Sequence, residues 1–302
     1  MMKLMGKVAL VAGGGQGIGE GIARCLAEEG ADVAISDINI ESAKKVADSA
    51  GEMGRRALAI YADLTDDDEA QRTVQETVNF FGRIDILINN VGGVSEETMR
   101  LMMEYSASLG DATVPSYMRF NSEVWDRYYQ LNLKTHVMLS HAVTPHLISQ
   151  KSGSILNISS TAGRMPDPDH IPYAAFKAGD ISITWSMARA LAPYNVRVNC
   201  ICPGFVYTPL WERGATAILG SLRYALSQGQ ELPRQFRPPP GKTIEDMSPN
   251  EFWLNYIVKP STPLGREQTA EDMGRAAVFL VSEDAKNITG QVLHVDGGMV
   301  TR

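Results

Sequence analysis

The sequence has little of what metal centres and disulfide frameworks are built from. Its 302 residues include three cysteines and five histidines. Cys25, Cys200 and Cys202 are odd in number and form no Cys-x-x-Cys pair, which argues against a disulfide scaffold or a zinc site. Cys200 and Cys202 alternate along an expected strand, so they read as small buried residues on one face. His136, His141 and His146 recur every five residues, a spacing that spreads them around a helix. No His-Glu-x-x-His pair occurs, and no metal is expected. Positive charge is in deficit too: 28 lysines and arginines against 35 acids give a net charge of −7. A nucleic-acid binder needs the opposite balance to neutralise phosphates. No stretch approaches the ~18 apolar residues of a membrane span. Residues 1–7 carry no signal-peptide cleavage pattern, so the expected compartment is the cytoplasm. Repeats and low-complexity segments are missing as well.

What is present is an alternation of short apolar runs and helical patterns, which means a doubly wound parallel sheet with helices on both faces. Val8-Ala9-Leu10-Val11-Ala12 suits a buried parallel strand. It enters Gly13-Gly14-Gly15-Gln16-Gly17-Ile18-Gly19, followed by a helix through Ile22, Ala23, Leu26 and Ala27 that stops at Gly30. Strand, glycine loop and helix together wrap a pyrophosphate, because glycines permit close approach and a helix N-terminus offers free N–H groups. The spacing is Gly-x-x-x-Gly-x-Gly. Glycines also mark plain turns; the placement between strand and helix is what points to a dinucleotide.

The second strand, Val33–Ser36, ends at Asp37, whose carboxylate would accept from the adenosine ribose hydroxyls and repel a 2′-phosphate. With no arginine beside it, this favours NAD over NADP. A third strand, Ala57–Ala62, leads to Asp63-Leu64, where a carboxylate could meet the adenine amino group. A fourth, Ile84–Ile88, runs into Asn89-Asn90-Val91-Gly92-Gly93.

The stretch Ser160–Lys177 carries the candidate chemistry. Pro172 suits a helix start, and Tyr173 and Lys177 then lie four residues apart on one face. Free tyrosine, with a pKa near ~10, is a poor base at neutral pH; an ammonium group beside a phenol favours the phenolate. Ser160 leaves the apolar run Ile155–Ile158 and could hydrogen-bond the same substrate oxygen. Such a Tyr/Lys pair also occurs on ordinary solvated helix faces, so its meaning depends on the rest of the chain.

Taken together, these motifs resemble the short-chain dehydrogenase/reductase family of the single-domain type. The matches are Gly13-x-x-x-Gly17-x-Gly19, Asp63-Leu64, Asn89-Asn90-Val91-Gly92, Asn132 in Leu131-Asn132-Leu133, Ser160, Tyr173-x-x-x-Lys177, Pro203-Gly204 with Thr208, and Asp296-Gly297-Gly298. The resemblance implies a Rossmann-type α/β fold with a seven-stranded parallel sheet. It implies Tyr173 as general acid/base, Lys177 favouring the phenolate and binding the nicotinamide ribose, and Ser160 polarising the substrate oxygen. Asn132 would hold a water that links Lys177 to solvent. The cofactor set it implies is Gly13, Gln16, Gly17, Ile18, Gly19, Asp37, Asp63, Leu64, Asn90, Gly92, Tyr173, Lys177, Pro203, Gly204, Val206 and Thr208. Two departures stand out: Ala12 replaces the family's usual Thr, and Val91 its usual Ala. The lost hydroxyl removes a hydrogen bond worth ~1 kcal/mol, and Val91 is expected to fill the space.

Two insertions interrupt the pattern, one at 93–122 and one at about 209–263, the latter expected to form a substrate lid over a single NAD-binding catalytic domain. A loop that long should hold helices of its own; Ala217–Leu226 and Phe252–Ile257 read as two. Phe205, Tyr207, Trp211 and Trp253 suggest a bulky, apolar or cyclic substrate, unless they pack into the lid's own core or against another subunit. His170 reads as a solvated loop residue. The expectation is an NAD-dependent oxidoreductase interconverting a secondary alcohol and its ketone, assembled as a homotetramer or dimer. A 3-oxoacyl-thioester reductase and a catalytically silent NAD-binding regulator are the competing readings, and fold alone does not separate them.

Overall fold

The computed structural model describes residues 2–109, 114–238 and 242–301. Seven strands form one parallel sheet in the order β3-β2-β1-β4-β5-β6-β7. They are β1 (Val8–Ala12), β2 (Asp32–Asp37), β3 (Ala57–Tyr61), β4 (Ile86–Asn89), β5 (Gly153–Ile158), β6 (Val196–Pro203) and β7 (Val292–Val295). The order reverses direction between β1 and β4, and ligands of such sheets bind at the carboxyl ends beside that switch.

The sheet is buried on both faces, and its strands divide their side chains accordingly. In β1, Ala9 and Val11 join one core with Ile22, Leu26 and Ile35. Val8, Leu10 and Ala12 join the opposite core with Val74, Leu87 and Leu139. This is the period-2 alternation of a strand with apolar partners on either side.

The first face carries α1 (Gly17–Glu28), α2 (Ile40–Glu52) and, late in the chain, α11 (Ala270–Val281). Two glycines set the spacing of α1 and α11. A Cβ on Gly21 would lie 2.5 Å from the Ala270 Cβ, and one on Gly274 2.5 Å from Cys25 Sγ. The second face carries α3 (Asp67–Phe81), α6 (Thr135–Gln150) and α7 (Ile171–Leu191). Asp66 caps α3 through Asp68 N, and Gly82 ends it in the left-handed region at φ +83°.

Strand ends differ from the sequence expectation by a residue or two. β4 begins at Ile86 rather than Ile84 because the Asp85 side chain accepts from Val8 N and pairs with Arg83. β3 ends at Tyr61, one residue inside the expected end.

The first insertion contributes α4 (Glu96–Ser108) and a short 3-10 turn at Ser116–Arg119. α5 (Ser122–Tyr129) then runs through a π-helical turn, Gln130–Lys134, into α6. Met99, Met103 and Tyr117 are exposed, whereas Leu101 and Met102 pack against Phe120, Val124 and Tyr128.

The second insertion holds α8 (Pro209–Ser227), a 3-10 turn at Arg234–Phe236, α9 (Pro249–Trp253), a π-helical turn at Leu254–Val258 and α10 (Lys259–Ser261). Both expected helices are there, the first longer than read because Thr208-Pro209 starts it early. Pro239 and Pro240 lie outside the described residues. This segment has a core of its own, centred on Leu219, Phe252, Trp253 and Val258.

Candidate active site

The residues singled out from the sequence gather at the carboxyl ends of the strands. At the end of β1, Gly13 and Gly17 take positive φ, +68° and +58°, where side chains are strained. A Cβ on Gly19 would lie 2.1 Å from the Gly13 carbonyl oxygen, so only glycine fits that turn. Gln16 caps α1 with no side-chain hydrogen bond, leaving the first-turn N–H groups without a side-chain acceptor. Ile18 is half-buried on the same turn.

Asp37, at the end of β2, leans over this loop: Oδ2 accepts from Gly15 N at 2.9 Å and Oδ1 from Asn39 N at 2.9 Å. Asp63 Oδ1 accepts from Thr65 N and Oγ1, and Leu64 is buried beside it. Thr208 approaches from the far side, its Cγ2 lying 3.3 Å from where a Gly17 Cβ would sit. Pro203 ends β6; Gly204 N donates to Val295 O, and buried Val206 bridges to Gln268. A glycine cradle with an open helix N-terminus and a carboxylate at its rim fits a dinucleotide.

The Ala12 and Val91 departures compensate locally. Asn90 Nδ2 donates to Gly13 O at 2.8 Å, joining the two loops without a threonine hydroxyl. Val91 Cγ2 comes within 3.1 Å of a Cβ placed on Gly13, and its side chain packs on the core that contains Ala12.

Tyr173 and Lys177 lie on the first turns of α7, with Lys177 Nζ 5.9 Å from the centre of the Tyr173 ring. Tyr173 packs in a cluster with Tyr128, Phe120 and the insertion residues Leu101 and Met102. Burial, and then the nearby Tyr173 and Asp167, push the Tyr128 phenol up to about 12. Ser160 leaves β5 and caps the 3-10 turn Thr161–Gly163, its Oγ accepting from Ala162 N at 3.1 Å. Asn132 sits fully buried in the π-helical turn before α6. It accepts from Gly93 N at 2.7 Å and donates to Gly93 O and Tyr128 O.

Lys177 is 3% exposed and donates to Ile158 O at 2.9 Å and to Asp180 Oδ2 at 3.1 Å. Burial opposes its charge, but Asp180, together with Tyr173, outweighs that and raises its pKa. Asp180 in turn meets His136 Nδ1 at 2.8 Å, and His136 Nε2 meets Val91 O at 2.8 Å. Sequence reasoning missed both residues. The five-residue histidine spacing hid His136, whose side chain is fully buried. Asp180 did carry a signal: it stands three residues after Lys177, on the same helical face.

Cys200 and Cys202 are both buried in a small cluster with Ile181, as their alternation implied, and Cys25 is buried elsewhere. His170 is exposed and near Asp167, matching its reading as a loop residue. Trp253 is completely buried in the second insertion, in ring contact with Phe205, Tyr207 and Trp211. It therefore belongs to that segment's interior, while Phe205, Tyr207 and Trp211 keep part of their surface open. Among the described residues, no helix is long and apolar enough to cross a membrane.

The family model for short chain dehydrogenases matches residues 7–217, and that for enoyl-(acyl carrier protein) reductases matches residues 244–300. The 3-oxoacyl-(acyl-carrier-protein) reductase FabG of Thermotoga maritima is 31% identical, covering 99% of this chain and all of the relative. The oxidoreductase UcpA of Salmonella typhimurium is 33% identical over 99% of this chain and 96% of its own length. A 7α-hydroxysteroid dehydrogenase, solved with NADH and 7-oxo glycochenodeoxycholic acid, superposes with a TM-score of 0.75 at 28% identity. That match covers 100% of this chain and 97% of that one. The chain belongs to the short-chain dehydrogenase/reductase family of oxidoreductases.

Proposed function

We propose that this chain is an NAD-dependent oxidoreductase that interconverts a secondary alcohol and its ketone, with Tyr173 as general acid/base. The observation that carries the reading is the Lys177 ammonium held 5.9 Å from the Tyr173 ring centre on α7, together with a glycine cradle that has Asp37 at its rim. The nicotinamide cofactor, when bound, supplies or accepts the hydride. Tyr173 gives a proton to the substrate oxygen in reduction and takes it in oxidation. Ser160 Oγ hydrogen-bonds that oxygen and fixes its direction. The Lys177 ammonium favours the phenolate of Tyr173, and Asn132 fixes the backbone at Gly93 beside it. Gly13, Gln16, Gly17, Ile18 and Gly19 would hold the pyrophosphate with Thr208. Asp37 would hold the adenosine ribose, and Asp63 and Leu64 the adenine. Asn90, Gly92, Pro203, Gly204 and Val206 would flank the nicotinamide half with Tyr173 and Lys177.

Asp37 supports NAD over NADP, since its carboxylate would repel a 2′-phosphate. The segment 209–263 covers the substrate, and the open edges of Phe205, Tyr207 and Trp211 favour a bulky apolar or cyclic molecule. Oligomerisation as a homotetramer or dimer, in the cytoplasm, completes the proposal. A second reading has its own support: relatives 31–33% identical over nearly the whole chain are named 3-oxoacyl-(acyl-carrier-protein) reductases. The deciding experiment follows NADH absorbance with acyclic, cyclohexyl, aryl and steroid secondary alcohols, and with a 3-oxoacyl thioester, each with NAD(H) and NADP(H). Turnover of a bulky alcohol with NAD is expected. Preference for the thioester with NADPH would overturn the proposal in favour of the second reading.

A further inference from the structure

Two buried groups behind Lys177 take no part in the scheme above, and their hydrogen bonds count protons. His136 touches an acceptor on each ring nitrogen: Asp180 Oδ1 at 2.8 Å from Nδ1 and Val91 O at 2.8 Å from Nε2. A backbone carbonyl only accepts, so Nε2 must carry a proton. A second proton must lie between Nδ1 and Asp180 Oδ1, on whichever of the two atoms. His136 and Asp180 are both 0% exposed, so no bulk water replaces either bond. The pair thus holds two protons and is neutral, whereas a neutral imidazole beside a bare carboxylate would carry −1.

We propose that His136 and Asp180 are positioning residues that hold Lys177 in place while leaving its positive charge uncancelled at Tyr173. A carboxylate alone behind Lys177 would fix the ammonium but offset its charge. The imidazole restores the balance by bringing one more proton. The same ring clamps Val91 O, so the charged lysine and the Asn89–Gly92 loop are fixed by one side chain. The other titratable groups facing this pair are few. Lys177 comes from Asp180's own helix and the Cys200 thiol from β6, while Tyr173 and Cys202 face Lys177. A hydrogen bond with Cys202, and then burial, hold the Cys200 thiol well above its ordinary range, so it stays neutral.

This inference rests on the acid/base role proposed for Tyr173, and its test separates the two. In the purified apo protein, ¹⁵N shifts of His136 and the ¹³C shift of the Asp180 carboxyl report the proton count at neutral pH. An imidazolium beside a carboxylate, or a neutral imidazole beside a carboxylic acid, is expected; a neutral imidazole beside a carboxylate overturns the proposal without reference to activity.

The second arm is the pH profile of kcat/KM for alcohol oxidation. His136→Gln leaves the Asp180 charge unbalanced, so the midpoint moves up by about one pH unit and kcat/KM at neutral pH falls about tenfold. Asp180→Asn keeps an acceptor for Lys177 and a donor for His136, so its midpoint stays at the wild-type value. The double variant returns to that value as well. Residues that serve only packing would lower turnover and leave the midpoint alone in all three, and that result overturns the proposal. If a variant fails to fold, the proton count in the wild-type protein decides.

Discussion

Gly92 stands between Asn132 and Lys177: a Cβ added there would lie 3.0 Å from Asn132 Oδ1 and 3.0 Å from Lys177 Nζ. The spacing is tighter than ordinary van der Waals contact, and one neighbour must move. Asn132 is fixed by three hydrogen bonds to backbone, so the lysine tip yields. Gly92→Ala is therefore expected to lower kcat between about tenfold and a hundredfold. Its thermal midpoint should stay close to wild type. Steady-state kinetics beside a melting curve checks this, and unchanged kcat would mean that the ammonium position is not critical.

Tyr173→Phe removes one oxygen from a ring held by packing with Tyr128 and Phe120. Loss of a general acid/base typically costs about 10²–10⁴-fold in turnover. The expected outcome is a fall of that size with NAD affinity nearly unchanged by calorimetry. Retention of turnover would take Tyr173 out of the reaction.

Asp37→Ala deletes the carboxylate that accepts from Gly15 N. The ratio of kcat/KM with NAD to that with NADP is expected to fall at least about tenfold, as loss of a close like-charge repulsion implies. An unaltered ratio would show that the ribose is read by other residues.

Trp253→Ala empties the centre of the second insertion, where Trp253 contacts Phe205, Tyr207 and Trp211. Truncating a buried Trp costs about 3–5 kcal/mol. The loss should fall on residues 209–263: faster proteolysis there, a higher KM for the alcohol, and little change in the Kd for NAD. Equal weakening of both ligands would mean that the segment supports the whole cradle.

The sheet was legible because each strand needed only a short apolar run closed by a turn, and buried parallel strands write that pattern without interruption. The cradle was legible because its glycines answer to local geometry: Gly13, Gly17 and Gly19 sit where φ or a facing carbonyl excludes a side chain. His136 and Asp180 were not legible from spacing. They stand 44 residues apart on two helices, and only the packing of α6 on α7 makes one the partner of the other. Trp253 was visible as an aromatic in a lid, but whether it faced substrate or lid interior depended on which of its neighbours folded back upon it. Periodicity within one helix does not encode that choice.

The core centred on Leu219, Phe252, Trp253 and Val258 is separate from the two cores that sandwich the sheet. A segment with its own apolar interior can loosen as a cooperative unit, at a smaller free energy than the whole fold. Amide protons of α8 and α9 should then exchange together, ahead of those in β1 and β4. Opening of that segment would leave the strands of the sheet paired, so that its loosening becomes a subglobal event decoupled from the melting of the rest of the fold.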